Sequence, residues 1–286
     1  NIYIFHESFS SIDHPQLRDI AIQITELHEG FHDRLFNGTV TGSLVHNLFL
    51  IYNLNKSGNI IINKHMEHLL YSKIEELSSS SYKCQETYAT YLSIQSLNPT
   101  NIYLAINILT NYCDEEYLKL YKELDDILSV HFSGTYIKFL IGMNAIKICM
   151  NAISLDKINS AENFFTKLSN LESPDALLTE VYSYLSKSDF LETLKDTISK
   201  KSSQIKHHSI PKDILQEIDD DTIWYKHSSS QQSKAEELIS EYIYRILESH
   251  LIKIGVNIVT TDLYPEFEDD KLKYKYLLEI LFDFFG

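Results

Sequence analysis

Between Pro15 and Gly38 a single apolar stripe fixes the local structure. Leu17, Ile20, Ile24, Leu27, Phe31 and Leu35 recur at spacings of three and four, the period that places side chains on one face of an α-helix. Ser11 or Asp13 is expected to cap this helix, Pro15 suits its first turn, and Asn37-Gly38 ends it. Helical patterning continues at about 41–54, 64–77, 81–97, 101–112, 114–130 and 135–153. Beyond residue 155 it returns at 157–171, 175–186, 188–200, 211–219, 231–254 and 270–285. With only 8 Gly and 5 Pro in 286 residues, the chain lacks the turn formers of a tightly turned sheet protein. At most a small β element is expected, from residues 2–5 or the Ile60-Ile61-Ile62 run. The stretch from Lys200 to His208 and the Ser228-Ser229-Ser230 run read as loops.

Charge and cysteine usage narrow the function classes. Lys+Arg 25 against Asp+Glu 40 gives a net charge of -15, so no general electrostatic attraction to nucleic acid or anionic lipid is expected. Neither a nucleic-acid partner nor a membrane is expected. The longest apolar stretch, near Phe139 to Ile153, is broken by Asn144, Lys147 and Asn151, as in a buried helix and unlike a membrane span. Cys84, Cys113 and Cys149 are too few and too far apart for a disulfide scaffold. No cationic start followed by an apolar run is read as a signal peptide. A soluble, cytoplasmic protein is the expectation.

One short constellation carries chemistry. His28-Glu29-Gly30-Phe31-His32 spells H-E-x-x-H on the first helix. Histidines four apart share a helical face, so both imidazoles can reach one metal ion. Glu29 is rotated roughly 100° from His28 about the helix axis, where it can face a metal-bound water. Zinc lowers the pKa of such a water towards ~7, and a carboxylate base takes its proton as the water attacks a peptide carbonyl. A pair of histidines on a solvated helix face would give the same letters. The motif's place beside the apolar stripe favours the metal reading.

A third ligand must come from elsewhere in the chain. Cys84-Gln85-Glu86-Thr87-Tyr88-Ala89 offers Glu86 on a later helix, with small Ala89 one turn on. Glu67, His65 and His68 on the intervening helix compete for the role. H-E-x-x-H followed by E-x-x-A on a later helix resembles the gluzincin metallopeptidases. That resemblance implies His28, His32 and Glu86 as ligands of a zinc ion (Zn2+), Glu29 as general base, and Ala89 as the small residue that lets the two helices approach. The gap of 53 residues between His32 and Glu86 is similar to the long-gap branches of that group. Gluzincins commonly place an acidic residue near the Glu ligand to orient an imidazole; here Thr90 follows Ala89, and Asp33 is a candidate for that role.

An oxyanion-stabilising group is also needed. Among 19 tyrosines, Tyr136 is singled out by its place at the start of a buried-looking helix, together with His131. A core or surface role is the preferred reading for these, for His46 and for His207-His208, and packing is the preferred reading for the lone Cys84. The acidic run Glu266 to Asp270 lacks calcium-loop spacing and reads as a solvated loop.

The sequence therefore predicts a mainly α fold. Residues 1–155 form a helical, metallopeptidase-like half with at most a small β element, and residues 156–286 form a helical half that binds substrate or partner. The expected function is a zinc-dependent peptidase acting on a peptide or protein substrate, with a regulatory protein partner possible. A helical interaction module, or an inactive metallopeptidase-like scaffold, is the alternative.

Overall fold

A computed structural model describes residues 12–152, 173–202, 210–256 and 258. The fold is mainly α, and no strand occurs among these residues. The N-terminal helices are α1 (Pro15–Gly38), α2 (Val40–Lys56), α3 (Lys64–Ser80), α4 (Tyr82–Gln95), α5 (Pro99–Tyr112), α6 (Glu115–Ser129) and α7 (Thr135–Met150). They are followed by α8 (Pro174–Leu185), α9 (Ser188–Ser202), the short α10 (Lys212–Gln216) and α11 (Asp221–Trp224), and α12 (Ser229–Lys253). The expected strand at 2–5, the helices at 157–171 and 270–285, the His207-His208 pair and the acidic run 266–270 lie outside the described residues, as does the boundary near 155. None of the described helices is long and apolar enough to cross a membrane.

The centre of the fold is α4, which packs against α1, α6, α7 and α8. Its sequence is not amphipathic, because neighbours surround it: Cys84, Tyr88, Ala89, Tyr91, Leu92 and Ile94 are all buried, and so are Thr87, Thr90 and Ser93. Phe31 of α1 meets Tyr88 of α4 edge to face, with centroids 5.9 Å apart. On the opposite side α7 comes close enough that a Cβ on Gly142 would stand 2.7 Å from the Tyr91 ring.

Two expectations fail for local reasons. Ile60-Ile61-Ile62 is not a strand: Ile61 is 91% exposed, and Ile62 N donates to Asn55 Oδ1 in a loop. Ser228-Ser229-Ser230 is not a loop but the start of α12, where Ser228 N donates to Gln231 Oε1 in a capping box. The first helix starts after His14, so Asp13 is not its cap, and Ser11 lies outside the described residues; the Arg18 guanidinium donates to Ile12 O. The predicted 211–219 helix stops at Gln216, and Asp219 and Asp221 beyond it accept from backbone amides of the N-terminal half.

Those aspartates show what the C-terminal half does for the N-terminal one. Asp219 accepts from Ser133 N and Gly134 N at 2.8 and 2.7 Å, and Asp221 accepts from Thr135 N and Tyr136 N at 2.9 and 3.0 Å. Together they satisfy four successive amides at and just before the start of α7. Asp175, in the first turn of α8, does the same for α4, accepting from Lys83 N at 3.0 Å and Cys84 N at 2.8 Å. The interruptions in α7 are equally structural. Asn144 donates to Leu140 O, and Asn151 ties Val40 N to the Tyr244 hydroxyl. Residues on both sides of position 155 share one apolar core, while α2 and α3 enclose a second, smaller one.

Asp175 holds the helix that carries Glu86. Asp175→Ala is expected to cost about 1–2 kcal/mol, as loss of a helix cap does, and to lower Tm by a few degrees. Thermal denaturation checks it; an unchanged Tm would show that the cap carries no weight.

Candidate metal centre

The His28 side chain is on the buried face of α1, with the residue only 5% exposed, and His32 follows one turn later at the edge of that face. Their rings meet edge to face with centroids 4.6 Å apart. α4 crosses opposite them and presents Glu86, three residues before the fully buried Ala89. The Nε2 atom of His28 lies 3.5 Å from Glu86 Oε2, and that of His32 lies 3.6 Å from Glu86 Oε1. One ligand atom from each residue falls within 4.8 Å of the others.

These spacings are informative. Charge-assisted hydrogen bonds close to about 2.7–2.9 Å, so imidazoles and carboxylate are not drawn fully onto each other. Ligands bonded tetrahedrally to one ion at about 2.0 Å stand about 3.3 Å apart. The two imidazole–carboxylate separations are near that figure, and two imidazoles with one carboxylate form a ligand set that leaves a coordination position open. Burial works against ionisation of Glu86, but the facing imidazoles of His28 and His32 outweigh it and hold its carboxyl down to about 2. The group is therefore ionised throughout the neutral range.

Glu29 is not part of this convergence. Its side chain is 36% exposed, and Oε1 lies 3.9 Å from Nδ1 of His28, the ring nitrogen other than the one facing Glu86. Asp33 instead accepts a hydrogen bond from Asn37 Nδ2 at the surface.

The competing ligands stay apart from the group. Glu67 pairs with Lys56 on the α2–α3 hairpin, and His65, His68 and His46 are exposed. The oxyanion candidates are engaged elsewhere. The Tyr136 hydroxyl donates to Glu236 at 2.9 Å, and its ring packs on Trp224. His131 contacts Ser186 O at 3.3 Å. Cys84 is buried, and burial pushes its thiol pKa well up, so it packs as a small apolar group.

The sequence reading missed two tyrosines. Tyr117 of α6 meets the His28 ring edge to face at 5.8 Å, and Tyr82 sits one turn before Glu86. Burial first, then the Glu86 charge, raises the pKa of both phenols, and the Tyr82 hydroxyl is turned to Glu116 at 3.5 Å. The i, i+4 relation of Tyr82 to Glu86 was legible. Tyr117 arrives from a different helix, and no local pattern marked it.

Comparison with protein-family models, with curated protein sequences and with solved structures finds no match to this chain.

If Glu86 is the third ligand, Glu86→Gln should weaken zinc retention, whereas Glu67→Gln should leave it unchanged. Equilibrium dialysis against a zinc buffer decides between them. The reverse result would move the site to the α2–α3 hairpin.

Proposed function

We propose that this chain is a zinc-dependent peptidase of the gluzincin type, with His28, His32 and Glu86 as ligands and Glu29 as general base. The observation that carries the reading is the convergence of both Nε2 atoms and the Glu86 carboxylate from two helices. When bound, zinc supplies Lewis acidity and brings the pKa of a water in its open position towards ~7. The protein's own contributions follow from its residues. The two imidazoles are neutral ligands, and Glu86 supplies one negative charge, so the bound ion keeps a net positive charge. Glu29, partly exposed beside His28, would be the carboxylate that takes a proton from water once the ion is held. Tyr117, as a protonated phenol, can donate to an oxygen that gains charge as the substrate carbonyl is attacked.

Three free thiols, none in a disulfide, support a reducing, cytoplasmic setting. The substrate class is a peptide or protein, and a regulatory protein partner remains part of the proposal. One observation favours the second reading, an inactive scaffold that keeps the ligand set: Glu29 stands at Nδ1 of His28 and not with the converging atoms.

Digestion of a peptide library separates the two. The peptidase reading expects cleavage that a chelator abolishes and added zinc restores. Zinc-loaded protein that cuts nothing in a broad screen would contradict it.

A further inference from the structure

The α2–α3 hairpin encloses its own small core, and one of its faces carries three aromatic rings in contact. Phe49 lies 6.5 Å from Tyr52, and Tyr52 lies 5.5 Å from Tyr71, centroid to centroid, with interplanar angles of 31° and 41°. Phe49 is 50% exposed and Tyr71 45%, so the rings form an apolar platform open to solvent. Along α3, Lys64, Tyr71 and Glu75 follow at spacings of seven and four, which sets them on one helical stripe with the platform between its ends.

Charge on the hairpin is balanced. Residues 40–80 hold Lys56, Lys64 and Lys73 against Glu67, Glu75 and Glu76, three of each sign, so the net charge of -15 belongs entirely to the rest of the chain. Lys56 pairs with Glu67, and Lys73 with Glu76. Lys64 and Glu75 stand outside these ion pairs, and both are exposed. Lys64 opens α3 at the loop end of the hairpin, whereas Glu75 is three turns on, towards its base. The two ends of the stripe therefore differ in sign.

We propose that a second copy of this chain covers this face, the two hairpins packing antiparallel as a two-fold symmetric four-helix bundle. A two-fold axis across the helices lays α3 of one copy on α3 of the other, running in opposite directions. Lys64 of each copy then meets Glu75 of the other, and the aromatic platforms meet near the axis. The same arrangement sends the two acidic bodies to opposite ends of the bundle, where their mutual repulsion is least. Area sets the strength of the contact. Each helix has 17 residues, which makes it about 25 Å long and roughly 10 Å wide, so the face offers roughly 500 Å² per copy and about 1,000 Å² in total, the lower end for a specific interface. The dimer is therefore reversible and concentration-dependent. It uses no residue of the metal centre and does not rest on the peptidase reading.

Analytical ultracentrifugation of the full chain across a wide concentration range tests this. A monomer–dimer equilibrium without larger species is expected. Phe49→Ser combined with Tyr71→Ser should raise the dissociation constant about tenfold or more, as loss of central aromatic contacts does. Lys64→Glu and Glu75→Lys each set like charges together at two symmetric points and should weaken association about tenfold or more. The double reversal, Lys64→Glu with Glu75→Lys, should restore it. Helicity and Tm of the variants, taken on dilute monomeric protein, should match those of the dilute parent, because the altered side chains are exposed. A parent that stays monomeric throughout, a dimer indifferent to Phe49 and Tyr71, or a double reversal that fails to restore association would each overturn the proposal. So would a monomer that co-sediments with phosphatidylglycerol vesicles through Phe49, which would give this face to a membrane.

Discussion

Glu29→Gln is expected to lower peptide cleavage by ~10²–10⁴, the usual cost of removing a positioned acid–base group, while zinc content and Tm stay unchanged. The amide keeps the shape and hydrogen-bonding reach of the carboxylate but cannot take a proton from water. Glu29 is outside the ligand group, with a partly exposed side chain, so its replacement leaves no buried charge unpaired. The same residue stands 3.9 Å from His28 Nδ1, which gives a second outcome a definite meaning. If Glu29 serves only to orient the imidazole, Glu29→Gln will loosen zinc and leave the rate per bound zinc nearly intact. Activity measured per bound metal, on the most rapidly cut library peptide, separates base from support. Full activity with full zinc would remove Glu29 from the mechanism.

The second large effect is on metal affinity. His28→Ala and His32→Ala should each abolish stable zinc retention, because two remaining ligands hold a catalytic ion poorly. The loss should exceed the 10–100-fold typical of removing a residue that merely supports a ligand. The two variants differ in a second respect. His28 is buried and its ring touches Tyr117 and His32, so His28→Ala also removes packing and lowers Tm in metal-free protein. The His32 side chain is 17% exposed, so its loss should cost less stability in the metal-free state. Zinc should raise Tm in the parent and in neither variant. Retained zinc in both variants, measured after dialysis, would dismiss the site.

How far the letters reached depended on whether the information was local. The 3.6-residue period marked α1 and put His28 and His32 on one face, because helix geometry alone determines that relation. Glu86 and its small neighbour Ala89 could be matched to a known pattern, but their meeting with α1 needed the tertiary fold. The capping box of Ser228 and Gln231 was present in the sequence as S-x-x-Q and was overlooked beneath a run of serines. Asp175, Asp219 and Asp221 were beyond local reading. Each bonds to amides about 85 to 92 residues away, and an aspartate that caps a distant helix has the same local signature as one in a solvated turn. The position of Tyr117 beside His28 likewise arises from packing between helices distant in sequence.

Metal analysis of the purified chain, combined with zinc X-ray absorption, tests the central claim most directly. The account predicts about one zinc per chain, with a coordination shell of two imidazole nitrogens at about 2.0–2.1 Å and oxygen ligands from Glu86 and water. If protein stripped of metal and titrated with zinc binds none, and the ring signals of His28 and His32 do not move, the convergence of these three side chains is not a metal centre.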